Sequence, residues 1–167
     1  MNIFWLDDDL TLAAQYHNDK HCVKLCVELA QLLSTAHHVL DGDESLIKDK
    51  IYKPTHRNHP CAVWVRESYN NYCHLWCLLC QLCTEYTYRY NKIHKVEREL
   101  LDVLTIPPKN IPLGGITPTP ACMPEEYKIY TNGELNVVES YRNYYNLAKS
   151  NLASWKNRPI PAWYKEE

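Results

Sequence analysis

The chain has 167 residues, with 18 Lys and Arg against 20 Asp and Glu for a net charge of −2, and 46% of its residues are apolar. That length buries one core without staples and makes two domains unlikely on size alone. The charge balance excludes a general attraction for phosphate, so any nucleic-acid binding has to come from a local patch.

The N-terminus, MNIFWLDDD, lacks the basic start and apolar run of a signal peptide, and no later window reaches membrane-span length. The expectation is a cytoplasmic protein with no membrane partner. A short helix is predicted from about Asp9 to Tyr16. A longer one follows from Asp19 to about Leu40, with apolar residues at 22, 26, 29, 33, 36 and 40, Asn18 or Asp19 to cap it and Gly42 to end it. After the acidic turn DGDES and the loop YKPTHRNHP, Pro60 suits the first turn of another helix, expected over Cys61 to Tyr90 with a break near Asn70 and Asn71. A further helix is expected from His94 to Leu104. Residues 107–124 hold six of the ten prolines plus Gly114 and Gly115, which predicts a long ordered loop. A last helix is expected over about Glu134 to Trp155, before the tail KNRPIPAWYKEE. No strand pattern emerges. The predicted fold class is all-α: a compact single-domain bundle of three to five helices.

Eight cysteines raise the question of a disulfide or metal scaffold. Cys73, Cys77 and Cys80 fall on one helical stripe, which core packing explains, and Cys80-x-x-Cys83 lacks a second ligand pair. No metal and no cofactor is expected. His56 and His59 in THRNHP have no carboxylate or thiolate beside them, so anion binding at the following helix N-terminus is favoured over a metal.

In HNDKHCVKLCVELAQLL, His21 and Glu28 stand seven residues apart, about 20° apart around a helix and roughly 10 Å along it. Lys24, Gln31, Thr35 and His38 share that face. One reading is a polar stripe facing water, with Lys24 and Glu28 as an exposed pair. The other is the edge of an active site.

NDKHCVKLCVEL resembles the N-terminal helix of the pyrimidine-dimer DNA glycosylase family of the phage endonuclease V type, whose pattern is Asp-x-His followed seven residues after the His by Glu-Leu. Asp19, His21, Glu28 and Leu29 match it. LTLAAQ upstream and RPIPAWYKEE at the end look like the corresponding runs of the family. The resemblance covers roughly the first forty residues and the last ten. It implies an all-α fold and, by similarity, a phage protein whose chemistry is base excision coupled to strand cleavage in damaged or modified DNA. An amine attacks C1′ and Glu28 stabilises the cationic intermediate and moves protons. His21 would lie near the lesion, with Trp163 and Tyr164 against the bound nucleotide. Two features depart from the family. Its nucleophile is the amine of a small second residue, whereas residue 2 here is Asn, which leaves the amine of Met1 or of Lys24. Its arginines before and three after the Glu are replaced by Val27 and Gln31, which removes phosphate contacts.

Outside the resemblance, residues 141–165 hold five cationic and no acidic residues, Arg158 among them, interleaved with tyrosines and tryptophans. This suits a nucleotide or nucleic-acid surface, or a solvated basic helix with its rings turned inward. The loop residues His56, Arg57 and His59 are expected to join His21 and Glu28 in one pocket. The partner is therefore damaged or modified DNA. The alternative is a free nucleotide or modified nucleoside, held by a relative that sequesters a host nucleotide signal without excising anything. The sequence leaves the oligomeric state open.

Overall fold

A computed structural model describes residues 1–165; the last two residues of the RPIPAWYKEE tail lie outside the described residues. Five α-helices follow in chain order: α1 Leu10–Tyr16, α2 Asp19–Leu40, α3 Pro60–Glu67, α4 Tyr69–Tyr90 and α5 Val137–Ala148. Each begins on a side chain that satisfies an orphan amide of its first turn: Asp9, Asn18, His59, Ser68 and Asn136. Such caps contribute about 1 kcal/mol each and explain why the boundaries fall where they do. The fold is all-α apart from one two-stranded hairpin, and one continuous apolar core runs through it. Among the described residues no helix is long and apolar enough to cross a membrane.

α2 is the central element. Leu25, Leu29, Leu32 and Leu33 are fully buried, and α3 and α4 pack on it. The N-terminal segment also enters the core: Ile3, Phe4, Trp5 and Leu6 are all buried, with Trp5 edge-on to Trp64 and stacked on His74.

The structure corrects several sequence expectations. The break expected near Asn70 and Asn71 in the helix over 61–90 is present and falls at Ser68, whose backbone is extended, with Asn71 as the clamp beside it. Its Nδ2 donates to Trp64 O and Thr117 Oγ1, and its Oδ1 accepts from Thr117 N–H, tying α3, α4 and the Pro-rich loop together. The helix expected over 94–104 is wound as a π-helix over Glu97–Leu101 and a 3₁₀ turn over Val103–Thr105. The helix expected from Glu134 starts only at Val137, and an antiparallel hairpin, β1 Ile129–Thr131 with β2 Glu134–Asn136, precedes it. Its turn is Asn132-Gly133, both residues with positive φ (52° and 82°), the conformation a two-residue hairpin demands. The expected cysteine stripe is not core. Cys77 is exposed and Cys73 and Cys80 are half-buried, because Tyr72, Leu75, Leu78, Leu79 and Leu82 hold the core face of α4. The Pro-rich segment is the irregular loop expected, fastened by Ser68 Oγ to Gly115 O (2.7 Å) and Trp64 Nε1 to Thr117 O (3.1 Å).

The α1–α2 junction, the end of α4 and the C-terminal tail meet at a buried ionic cluster. Arg89, at the end of α4, donates to Glu85 Oε1 (2.8 Å), Asp19 Oδ1 (3.0 Å) and Gln15 O (2.9 Å). Arg158 clamps Glu85 through two further hydrogen bonds of 3.0 and 2.9 Å. Burial alone would raise the Glu85 and Asp19 carboxyls, but hydrogen bonds outweigh it and hold both below their ordinary values. They come from Arg158 and Arg89 to Glu85, and from Ser154, Lys156 N–H and Arg89 to Asp19.

Two predictions follow from these buried groups. Arg89→Met takes one charged partner from each of two carboxylates and a donor from the Gln15 carbonyl and is expected to cost about 3–5 kcal/mol in urea denaturation, while Arg89→Lys restores little because an ammonium lacks the planar fork. A loss under about 1 kcal/mol would remove Arg89 from its central place. Burial also depresses His17 and His37 to about 4 and His21 to about 3 from 6.5. Between about pH 6.5 and 4 the unfolded chain binds protons that the folded one refuses, so stability is complete above that window and falls as pH drops through it. Urea midpoints at successive pH values should show this decline; a flat profile would mean that the folded imidazoles accept protons.

Candidate functional site

The polar face of α2 does not look into open water. Thr35 is fully buried, its hydroxyl 3.2 Å from both the amide and the carbonyl of Thr55, and His38 Nε2 donates to Tyr52 O (3.0 Å). The loop before α3 covers that half of the stripe. The N-terminal half borders a cavity of about 220 Å³, lined by Met1, Asn2, Phe4, His21, Lys24, Leu25, Glu28 and Lys149.

Chain geometry places Met1 there. Asn2 Nδ2 donates to Cys122 O (2.7 Å), and Asn2 Oδ1 accepts from Tyr141 Oη (2.7 Å) and Phe4 N–H (3.3 Å). Tyr141 Oη in turn accepts from Cys122 N–H (3.0 Å). Phe4 takes a left-handed backbone, φ 51°, which an aromatic residue rarely adopts and which costs about 1–3 kcal/mol. That twist lays its ring on His21, with centroids 4.2 Å apart, and turns the first residues back toward α2.

His21 is almost fully buried and its Nδ1 lies 2.5 Å from Tyr145 Oη. Burial pushes Tyr145 well above the ordinary phenol value, so it keeps its proton. The phenol proton therefore goes to His21 Nδ1, and the proton of the neutral imidazole sits on Nε2. Burial, then the positive field of His17, Lys149, Lys24 and Lys20, lowers His21 to about 3. Two lysines, Lys24 and Lys149, thus line this cavity, with Lys20 in electrostatic reach of His21, in a chain of net negative charge.

Glu28 is 14% exposed and pairs with Lys24 at 3.1 Å, while Lys24 itself is 64% exposed. The cavity unites Met1, Lys24, His21 and Glu28 and adds Asn2, Phe4 and Lys149, which were not singled out as site residues from sequence. Lys149 had a signal in the acid-free basic segment. Phe4 and Asn2 had none, because their role depends on the path of the N-terminal segment.

Other expected site residues lie elsewhere. Gln31, His56 and Arg57 do not line the cavity; His56 and Arg57 are exposed on the loop. His59 is within electrostatic reach of both Glu28 and the N-terminus, but its ring caps α3 by accepting from Cys61 N–H (3.2 Å), which occupies a donor expected for an anion. Arg158 is engaged with Glu85 and lies 3.9 Å from the Tyr88 ring centroid. Trp163 packs edge-on to Tyr16 and against Tyr145, behind His21, and Tyr164 packs on Trp155.

A scan against protein-family models, a search of the curated proteins and a search of the solved structures each found no match.

Tyr145→Phe tests the proton assignment. Removing the hydroxyl leaves His21 Nδ1 buried without its partner, at a cost of about 1–3 kcal/mol. In the ¹⁵N spectrum of the native protein His21 is expected as the Nε2–H tautomer with no titration above pH 5. A His21 that titrates near its ordinary value would contradict the assignment.

Proposed function

We propose that the chain is a DNA glycosylase and abasic-site lyase that works through an amine. The observation carrying this reading is that the Met1 terminus, Glu28, His21 and two lysines border one small cavity. Its volume of about 220 Å³ is below the roughly 300–1,000 Å³ usual for a site enclosing a whole ligand. That favours a sugar or single base presented by a longer strand over a free nucleotide. Lys24, Lys149 and Lys20 supply cationic charge for the flanking phosphates where arginines at 27 and 31 are lacking.

In this mechanism the unprotonated amine adds to C1′ of the target nucleotide and the C1′–base bond breaks, with the base taking the electron pair and a proton. The nitrogen lone pair then expels O4′, which takes the C1′–O4′ electron pair and a proton, so the opened sugar is held as a cationic iminium beside the Glu28 carboxylate, which stabilises it. Glu28 or a water then removes a C2′ proton and the 3′ phosphate leaves. Met1 is the favoured nucleophile. Lys24 is already bound by Glu28 and turned largely to solvent, and α-amines as a class lose their proton about two units lower than lysines. The neutral Nε2–H of His21 donates a hydrogen bond to the sugar or base without adding a charge next to the iminium.

The test is borohydride trapping on duplex DNA carrying an abasic site or a pyrimidine dimer, read by intact mass and peptide mapping. The expected result is a covalent adduct mapped to Met1, lost with an N-terminal extension and reduced at least 100-fold in Glu28→Gln. An adduct mapped to Lys24 would reassign the nucleophile. No adduct on either DNA would sink the lyase reading and favour the nucleotide-binding alternative, which thermal shift with free nucleotides would then test.

A further inference from the structure

Beyond the cavity, the chain brings three metal-ligating side chains together from two distant segments. His59 and Cys61 stand at the start of α3, and Cys122 ends the Pro-rich loop. One ligand atom from each lies within 4.8 Å of the others. Cys61 Sγ and Cys122 Sγ are 3.5 Å apart. Tetrahedral zinc with bonds of about 2.3 Å to sulfur requires sulfurs about 3.8 Å apart, so the thiols are spaced for one ion and the ring needs to shift by about 1 Å.

The surroundings are those of a built site. Cys61 is fully buried, whereas Cys122 and His59 are half-buried, so an ion can reach the cluster while one side stays closed. Cys122 is held in place from both sides of its peptide, its amide donating to Tyr141 Oη (3.0 Å) and its carbonyl accepting from Asn2 Nδ2 (2.7 Å). The pattern is His-x-Cys on a helix start plus a Cys from a remote loop, which supplies the ligand pair from separate segments that the cysteines of α4 lack.

We propose that His59, Cys61 and Cys122 bind a soft divalent cation, zinc, with the fourth position left to water. Two thiolates and one imidazole form a soft set that disfavours magnesium and calcium, which take oxygen ligands. Both thiols release their protons to bulk water on binding, and the His59 lone pair that caps Cys61 N–H turns to the metal. The ion joins the Pro-rich loop to α3 and tightens the seat of Asn2, and through it the position of the N-terminus.

The experiment uses full-length protein kept reduced with a phosphine, stripped of metal and titrated with zinc and with cobalt(II). The expected result is saturation at one ion per chain, a thiolate-to-cobalt charge-transfer band with tetrahedral d–d bands, and a higher Tm with zinc. Cys122→Ser and His59→Ala are expected to weaken binding at least 100-fold and to abolish the Tm rise. Cys77→Ser, on the exposed face of α4, is expected to behave as wild type. Circular dichroism establishes that each variant is folded before titration. Absence of a stoichiometric site in the wild-type chain, or undiminished binding by folded Cys122→Ser, would overturn the assignment.

Discussion

The ion cluster around Arg89 is the constraint on which the rest of the architecture hangs. Its guanidinium is wholly removed from solvent, and each of its three nitrogens has a partner: Glu85, Asp19 and the Gln15 carbonyl. A buried cation is tolerable only when paired in this way. Two arginines, 89 and 158, face two carboxylates, 85 and 19, so the cluster closes electrically as well as geometrically. It holds the end of α1, the start of α2, the end of α4 and the C-terminal tail in one place. Asp19, next to the cap of α2, binds Ser154 and the Lys156 amide as well, so the helix carrying His21 and Glu28 has its first turn fixed by the far end of the chain.

With α2 fixed, the N-terminal segment completes the site from the other side. Asn2, Tyr141 and Cys122 form a knot that ties residue 2 to α5 and to the end of the Pro-rich loop. The strained backbone of Phe4 then directs its ring onto His21. This strain is sustained because hydrogen bonds on one side and aromatic contacts on the other leave the segment no cheaper route. The cavity is a place where the first residues, the polar face of α2 and the end of α5 converge. The His59, Cys61 and Cys122 cluster sits on the same knot, through the carbonyl and amide of Cys122.

The electrostatics follow from that convergence. Burial keeps His21 neutral, and Tyr145 decides which nitrogen carries its proton. Lysines from α2 and from the end of α5 gather a positive field where net charge would give none, which is why a composition-level argument against phosphate binding does not extend to this cavity.

How much of this was readable in advance differs by element. Helical periodicity and capping residues placed α1 and α2 almost to the residue, since Asp9 and Asn18 precede strongly patterned segments and local hydrogen bonding sets those boundaries. The shared face of His21 and Glu28 was likewise a matter of helix geometry. The hairpin was legible in Asn132-Gly133, a local turn signal, but its second strand lies in the residues read as the start of the last helix. The exposed cysteines of α4 were not, because a stripe of small apolar residues does not say which competing face takes the core; the larger leucines took it. Sequence alone determined the all-α class, the length and caps of the first helices and the residues that share a face, all of which depend on contacts within a few positions. Only the tertiary structure decided that Met1 and Glu28 border one cavity, that Tyr145 sits against His21 Nδ1, and that Cys122 lies beside Cys61. Those meetings span more than a hundred residues in places, and they are fixed by buried charge pairing and core packing that no local pattern encodes.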